Sequence, residues 1–173
     1  MIKTRNVQKK ISLLGDFAVG KTSLVRRFIY DFFEADYLST LGVKVSRKVL
    51  LYPQAEMNTQ LTLLLWDLSG SETFDRMRTN YLRGTVAALL VCDLTRSETL
   101  DSLRTYAADL LRINPQAQFV VAANKSDLVT EQQLAIPEIK AVADELHAIY
   151  YLTSAKTGDA VEKMFRRLGK QLI

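Results

Sequence analysis

Between Gly15 and Thr22 the chain reads Gly-Asp-Phe-Ala-Val-Gly-Lys-Thr. Two glycines, a lysine and a hydroxyl residue at this spacing can wrap backbone around phosphate groups. The glycines allow close approach, so the N–H groups of Asp16, Phe17, Ala18, Val19, Gly20 and the following residues can point at phosphate oxygens, and a helix N-terminus adds positive potential. Lys21 is then placed to reach β- and γ-phosphates, Thr22 to put its hydroxyl on Mg²⁺, and Ser23 to close the loop. The alternative reading is a chance Gly/Lys turn, but the segment leaves an apolar run and enters an amphipathic one, as the motif requires.

Three further clusters suit the same ligand. "WDLSG" ends an apolar run. Asp67 faces Thr22 across the expected cleft, suited to the outer shell of Mg²⁺, and Gly70 offers a backbone N–H to a γ-phosphate. "NKSD" follows another apolar run with Asn124, Lys125 and Asp127. A carboxylate there can accept guanine N1–H and its 2-amino group, whereas adenine presents a lone pair at N1, a mismatch that discriminates strongly. Ser154, Ala155 and Lys156 close the last apolar run, where the Ala155 N–H can donate to guanine O6. Taken singly, these are a strand-terminal Asp and ordinary polar loops.

These residues need a scaffold. "KKISLLG", "VKVSRKVLL", "QLTLLLWDL", "TVAALLVCD", "AQFVVAANK" and "AIYYLTSAK" read as strands. Helical spacing appears in Leu24, Val25, Phe28 and Ile29, in Leu100, Leu103, Ala107 and Leu110, and in Val161, Phe165, Leu168 and Leu172. A further helix spans Glu138 to His147, with Pro137 in its first turn. Asp159 and Glu162 have capping-box spacing before the last helix. The short link between the second and third strands makes them antiparallel neighbours. The remaining alternation implies a parallel sheet covered on both faces, whose ligands gather at the carboxyl ends of the strands.

The composition fits this reading. A chain of 173 residues, 48% hydrophobic and 24% charged, suits one domain with a core. The net charge of +4 is scattered, which favours a solvated face over a nucleic-acid surface. Cys92 is the one cysteine, so no disulfide forms within the chain, and its apolar run marks it as a core residue. No signal peptide, membrane-length apolar run or lipidation motif is visible, so cytoplasmic location is expected, with membrane association only through a lipidated tail missing from this chain or through a partner.

The ordered set of the glycine loop, "STLGVKV", "WDLSG", "NKSD" and "SAK" resembles the Ras-like small GTPases over essentially the whole chain, and "LTLLLWDLSGSETF" is most similar to the Rab branch. The resemblance implies a single α/β P-loop G domain over 1–173: a mostly parallel six-stranded sheet with one antiparallel strand and helices on both faces. It implies a P-loop at 15–22, switch I at about 33–42 and switch II at about 67–80. It further implies that Phe33 packs on guanine (plain core packing is the alternative), that Tyr37 lies over the phosphates, and that the Lys125 stem lies along the base. Thr40 would touch Mg²⁺ and γ-phosphate only in the GTP state, so that two loops are held by one phosphate and released on hydrolysis. Effector contact through both switches, an exchange factor, a GTPase-activating protein and a monomeric state are the corresponding expectations.

The chain departs from the family where water is activated. Ser71 stands in place of the water-orienting glutamine, Phe17 in place of a small residue, and Thr73 where the Rab pattern "GQERF" has arginine. Ala18 is a milder change. Binding of GTP, GDP and Mg²⁺ is therefore expected, with hydrolysis slower than the roughly 10⁻⁴ s⁻¹ of unassisted Ras. A GTP-locked binding module is the alternative; a P-loop phosphotransferase is disfavoured by "NKSD" and "SAK". Arg76 and Arg78 stay open between catalysis, effector contact and a solvated helix. His147 reads as a surface or helix C-terminal residue rather than an acid–base group.

Overall fold

The computed structural model describes residues 3–34, 42–70 and 72–173. In chain order its elements are β1 (Lys3–Leu14), α1 (Lys21–Tyr30), β2 (Val43–Tyr52), β3 (Met57–Leu68), α2 (Glu72–Leu82), β4 (Thr85–Asp93), α3 (Glu98–Ile113), β5 (Gln118–Asn124), α4 (Ile136–Glu145), β6 (Ile149–Leu152) and α5 (Val161–Lys170). The six strands lie in the order β2-β3-β1-β4-β5-β6. Only the β2–β3 pair is antiparallel, as the short link demanded.

Strand alternation builds two cores from one sheet. In β4, Ala87, Leu89 and Val91 face α1 and α5, while Ala88, Leu90 and Cys92 face α2, α3 and α4. Burial pushes the Cys92 thiol up to about 12, consistent with an inert packing residue. On the first face the rings of Phe28 and Phe165 stack with centroids 4.1 Å apart. Val161, Phe165 and Leu168 are buried as their spacing required, and Leu172 packs against the same core.

Some expectations need correction. β1 begins at Lys3 rather than Lys9, and its polar first half is held by register with β3 from Lys3↔Met57 onward. The Asp159–Glu162 capping box does not form. The residue before α5 is Ala160 in the left-handed region, and Glu162 instead accepts from Arg166 at 2.6 Å. A related closure starts α4, where Glu138 Oε2 accepts the Ala135 N–H at 2.8 Å. α4 ends at Glu145, so His147 lies beyond it, exposed and with φ 51°.

β1 lies between β3, reached through β2, and β4, which starts the other half of the sheet. Strand order reverses there, and the loop that leaves the carboxyl end of β1 opens into the crevice such a reversal creates.

Candidate nucleotide site

The Gly15–Gly20 loop joins β1 to α1 and is pinned by side chains from three directions. Asn124, at the end of β5, donates from Nδ2 to Val19 O at 3.0 Å. Its Oδ1 accepts from Thr153 Oγ1 at 3.1 Å and from the Ala155 N–H at 3.3 Å. One buried amide therefore ties the glycine loop to the Ser154–Lys156 loop. Gly20 is required at this contact: φ is 105°, and a Cβ there would lie 2.2 Å from Asn124 Nδ2. From α3, Ser102 Oγ and Tyr106 Oη donate to the Asp16 carboxylate at 2.7 and 2.9 Å. From beyond β4, Arg96 Nη2 donates to Phe17 O at 2.6 Å.

Lys21 is buried, and its Nζ donates to Gly15 O at 2.7 Å and Asp16 O at 2.9 Å. Burial pushes its pKa down to about 8, against the opposing charges of Asp67 and Asp16. Thr22 Oγ1 donates to Asp67 Oδ2 at 2.5 Å, a direct bond rather than a cleft between them. Burial raises the Asp67 carboxyl, while the Thr22 bond and the charges of Lys21, Lys44 and Arg26 oppose the rise. Asp67 Oδ1 is buried without a hydrogen-bond partner among the described residues. An orphaned carboxylate oxygen beside a hydroxyl is the donor set that a hydrated Mg²⁺ satisfies.

Gly70 packs directly on the loop. A Cβ there would stand 2.6 Å from both Asp16 C and Phe17 N. Glycine is needed here for backbone-to-backbone contact, apart from any role of its N–H.

The opposite wall is equally bonded. Asp127 Oδ1 accepts from Ser154 Oγ at 2.6 Å, which leaves its second oxygen for a ligand. Lys125, at φ 68°, pairs with Asp93 Oδ2 at 2.6 Å. Burial pushes the Asp93 carboxyl up, but hydrogen bonds from Lys125 and Thr95 outweigh it and hold the group below its ordinary value. Arg27, on α1, donates to Ala155 O at 2.9 Å and Lys156 O at 2.5 Å.

A cavity of about 400 Å³ lies between these walls. Phe17, Ala18, Gly20, Lys21, Thr22, Ser23, Phe33, Gly70, Asn124, Lys125, Asp127, Ala155 and Lys156 all line it, so the motifs separated in sequence converge. Phe33 also packs against the core, which is the alternative reading of it. The Asp16 carboxylate turns to α3 and Val19 is in the core, which restricts both to backbone roles at the ligand. Tyr37, Thr40 and Ser71 lie outside the described residues.

Sequence reasoning missed Arg26 and Glu34, which line the same cavity. Arg26 stands four residues after Thr22, and helical spacing places both on one face, a signal that was available. Arg78 does not lie on a solvated helix face. It is buried, pairs with Asp109 Oδ2 at 2.5 Å and lies 4.6 Å from the Tyr106 ring centroid, so it fastens α2 to α3. Nearby, Lys10 Nζ donates to Tyr81 O and Arg83 O, and sits 3.7 Å over the Trp66 ring.

A P-loop, a guanine-suited carboxylate and a backbone donor now share one cavity, and residues 10–173 match the Ras family. The chain belongs to the Ras family. Within it the chain is 34% identical to Ras-related protein Rab-22A of dog, mouse and human, over 94% of this chain and 82% of each relative. It is therefore a Rab-like small GTPase, a molecular switch that binds GTP and GDP. Ras-family proteins hydrolyse GTP, use Mg²⁺ and engage effectors, exchange factors and GTPase-activating proteins, in signalling and vesicle trafficking. Among the described residues no helix is long and apolar enough to cross a membrane.

Proposed function

We propose that this Ras-family chain, a single G domain over 1–173, binds GTP and GDP tightly and hydrolyses GTP more slowly than its family. The observation that carries this reading is the asymmetry of the cavity wall. The groups suited to guanine and phosphate are held by side-chain bonds, whereas Phe17, 47% exposed, stands on the wall beside the phosphate loop. Lys21 neutralises phosphate charge, and the N–H groups of Asp16 to Ser23 cradle it. Thr22 and Asp67, with Thr40, hold Mg²⁺, which offsets charge on the β- and γ-phosphates when bound. Gly70 reports on the γ-phosphate. Asp127 reads guanine, and the Ala155 N–H shares its donor between Asn124 Oδ1, 3.3 Å away, and guanine O6, with Asn124, Ser154, Lys125, Lys156, Phe33 and Tyr37 supporting the base and phosphates.

Ser71 lacks the amide that orients water, and the Phe17 ring takes space that an assisting arginine needs. GTPase-activating assistance of the usual type is worth about 10³–10⁵ in rate, so most of it is lost here. The limiting case is a GTP-retaining module set by exchange alone. The chain acts as a cytoplasmic monomer that contacts an effector through both switches.

Single-turnover hydrolysis of pre-loaded GTP tests this on the native chain and on Ser71→Gln and Phe17→Gly. The native rate is expected below about 10⁻⁴ s⁻¹, and each substitution should raise it. A native rate at or above the family value would remove Ser71 and Phe17 as the cause.

A further inference from the structure

We propose that Arg26 and Glu34 form a charge pair at the nucleotide cavity that sets how far nucleotide retention depends on the divalent cation. The inference rests on the nucleotide-site reading above. Arg26 projects from α1 on the face that carries Thr22, and both residues line the cavity. Its Nη1 donates to Glu34 Oε2, and among the described residues Glu34 is its one hydrogen-bond partner. A guanidinium has five N–H donors, so most of its donor capacity is left beside the ligand space. The two side chains are 25% and 37% exposed, which places the pair where screening is incomplete. Arg26 is close enough to act on the Asp67 carboxylate through its charge.

A nucleotide brings several negative charges into a cavity of about 400 Å³. Mg²⁺ and a guanidinium are alternative means of offsetting that charge, and each repels the other. Glu34 decides which dominates. While it pairs with Arg26 the guanidinium is neutralised, and retention falls to the metal. Without Glu34, the freed cation would hold phosphate on its own and oppose Mg²⁺ at Thr22 and Asp67. Without Arg26, the bare Glu34 carboxylate would repel phosphate and favour the metal. The two single changes therefore act in opposite directions, which a merely mechanical latch between α1 and the segment after it would not produce.

The test loads the full chain with fluorescently labelled GDP. It follows release into excess unlabelled GDP across a magnesium titration and in chelator. Four variants are compared with the native chain: Glu34→Gln, Arg26→Gln, the double Arg26→Gln/Glu34→Gln, and Arg26→Lys, each checked for folding by its thermal transition. Glu34→Gln is expected to slow release in chelator and to raise the magnesium concentration for half-maximal retention, by about three- to tenfold. Arg26→Gln should shift both in the opposite sense. The double variant and Arg26→Lys should lie near native. Release accelerated alike in both single variants, no shift in either, or Arg26→Lys behaving as Arg26→Gln would each overturn the charge pair while leaving the nucleotide site standing. Failure of the native chain to load labelled GDP would overturn both readings.

Discussion

The two ends of the cavity are built differently. At the base end the residues assigned to recognition are bonded to their neighbours: Asn124 to the Val19 carbonyl and the Thr153 hydroxyl, Asp127 to Ser154, Lys125 to Asp93. Those partners belong to the end of β4, to the loop that follows β6 and to the glycine loop itself. At the phosphate end the loop hangs on α3 through Asp16, and α2 hangs on the same helix through Arg78. Tyr106 serves both, donating to Asp16 and lying under the Arg78 guanidinium. Under the proposed function, the identity of the ligand is thus read where strands end, whereas its phosphate count is read by parts that share one helical support.

The contrast can be broken most severely at Asn124. Asn124→Ala would leave Val19 O, Thr153 Oγ1 and the Ala155 N–H short of a partner in buried surroundings. The expected loss is about 3 kcal/mol in urea unfolding, with GDP affinity falling too. Arg78→Leu comes next. It leaves Asp109 without its buried partner at a cost of about 2 kcal/mol, and hydrogen exchange should show α2 opening while β5 and β6 keep their protection. Tyr106→Phe keeps the ring under Arg78 and removes the bond to Asp16. About 1 kcal/mol is expected, with faster GDP release and unchanged guanine-over-adenine preference. An altered preference would show that the two ends are not separate.

The mildest test is pH. Because the Asp93 carboxyl is held below its ordinary value, its contribution is fully present above the ordinary carboxyl range. It is lost as pH falls through the lowered value. Urea midpoints at pH 6 and pH 3 should therefore differ more for the native chain than for Asp93→Asn. Equal differences would dissociate the Lys125–Asp93 pair from stability.

What the sequence made legible follows from the range of the forces involved. β4 occupies the run Thr85–Asp93 that its apolar residues marked, because a strand buried on both faces is apolar throughout. The P-loop, Asp67, Asp127 and Ala155 could be singled out because the chemistry expected of them needs groups at strand ends. The first half of β1 escaped notice since its exposed polar residues are strand only through pairing with β3. The burial of Arg78 was not legible because its partner Asp109 lies on another helix, and nothing in the α2 sequence signals it. The Asp159–Glu162 spacing matched a capping box but met a left-handed Ala160 instead.

Trp66 is the only tryptophan in the chain. Its ring is capped by Lys10 on one side and lies 6.4 Å from Tyr81, in the last turn of α2, with Asp67 next in sequence. Its buried indole N–H has no hydrogen-bond partner among the described residues. The molecule therefore carries its own optical gauge. Any reseating of α2 alters the surroundings of a single fluorophore fixed in the sheet, so unlabelled protein will register the transition in its emission as it proceeds.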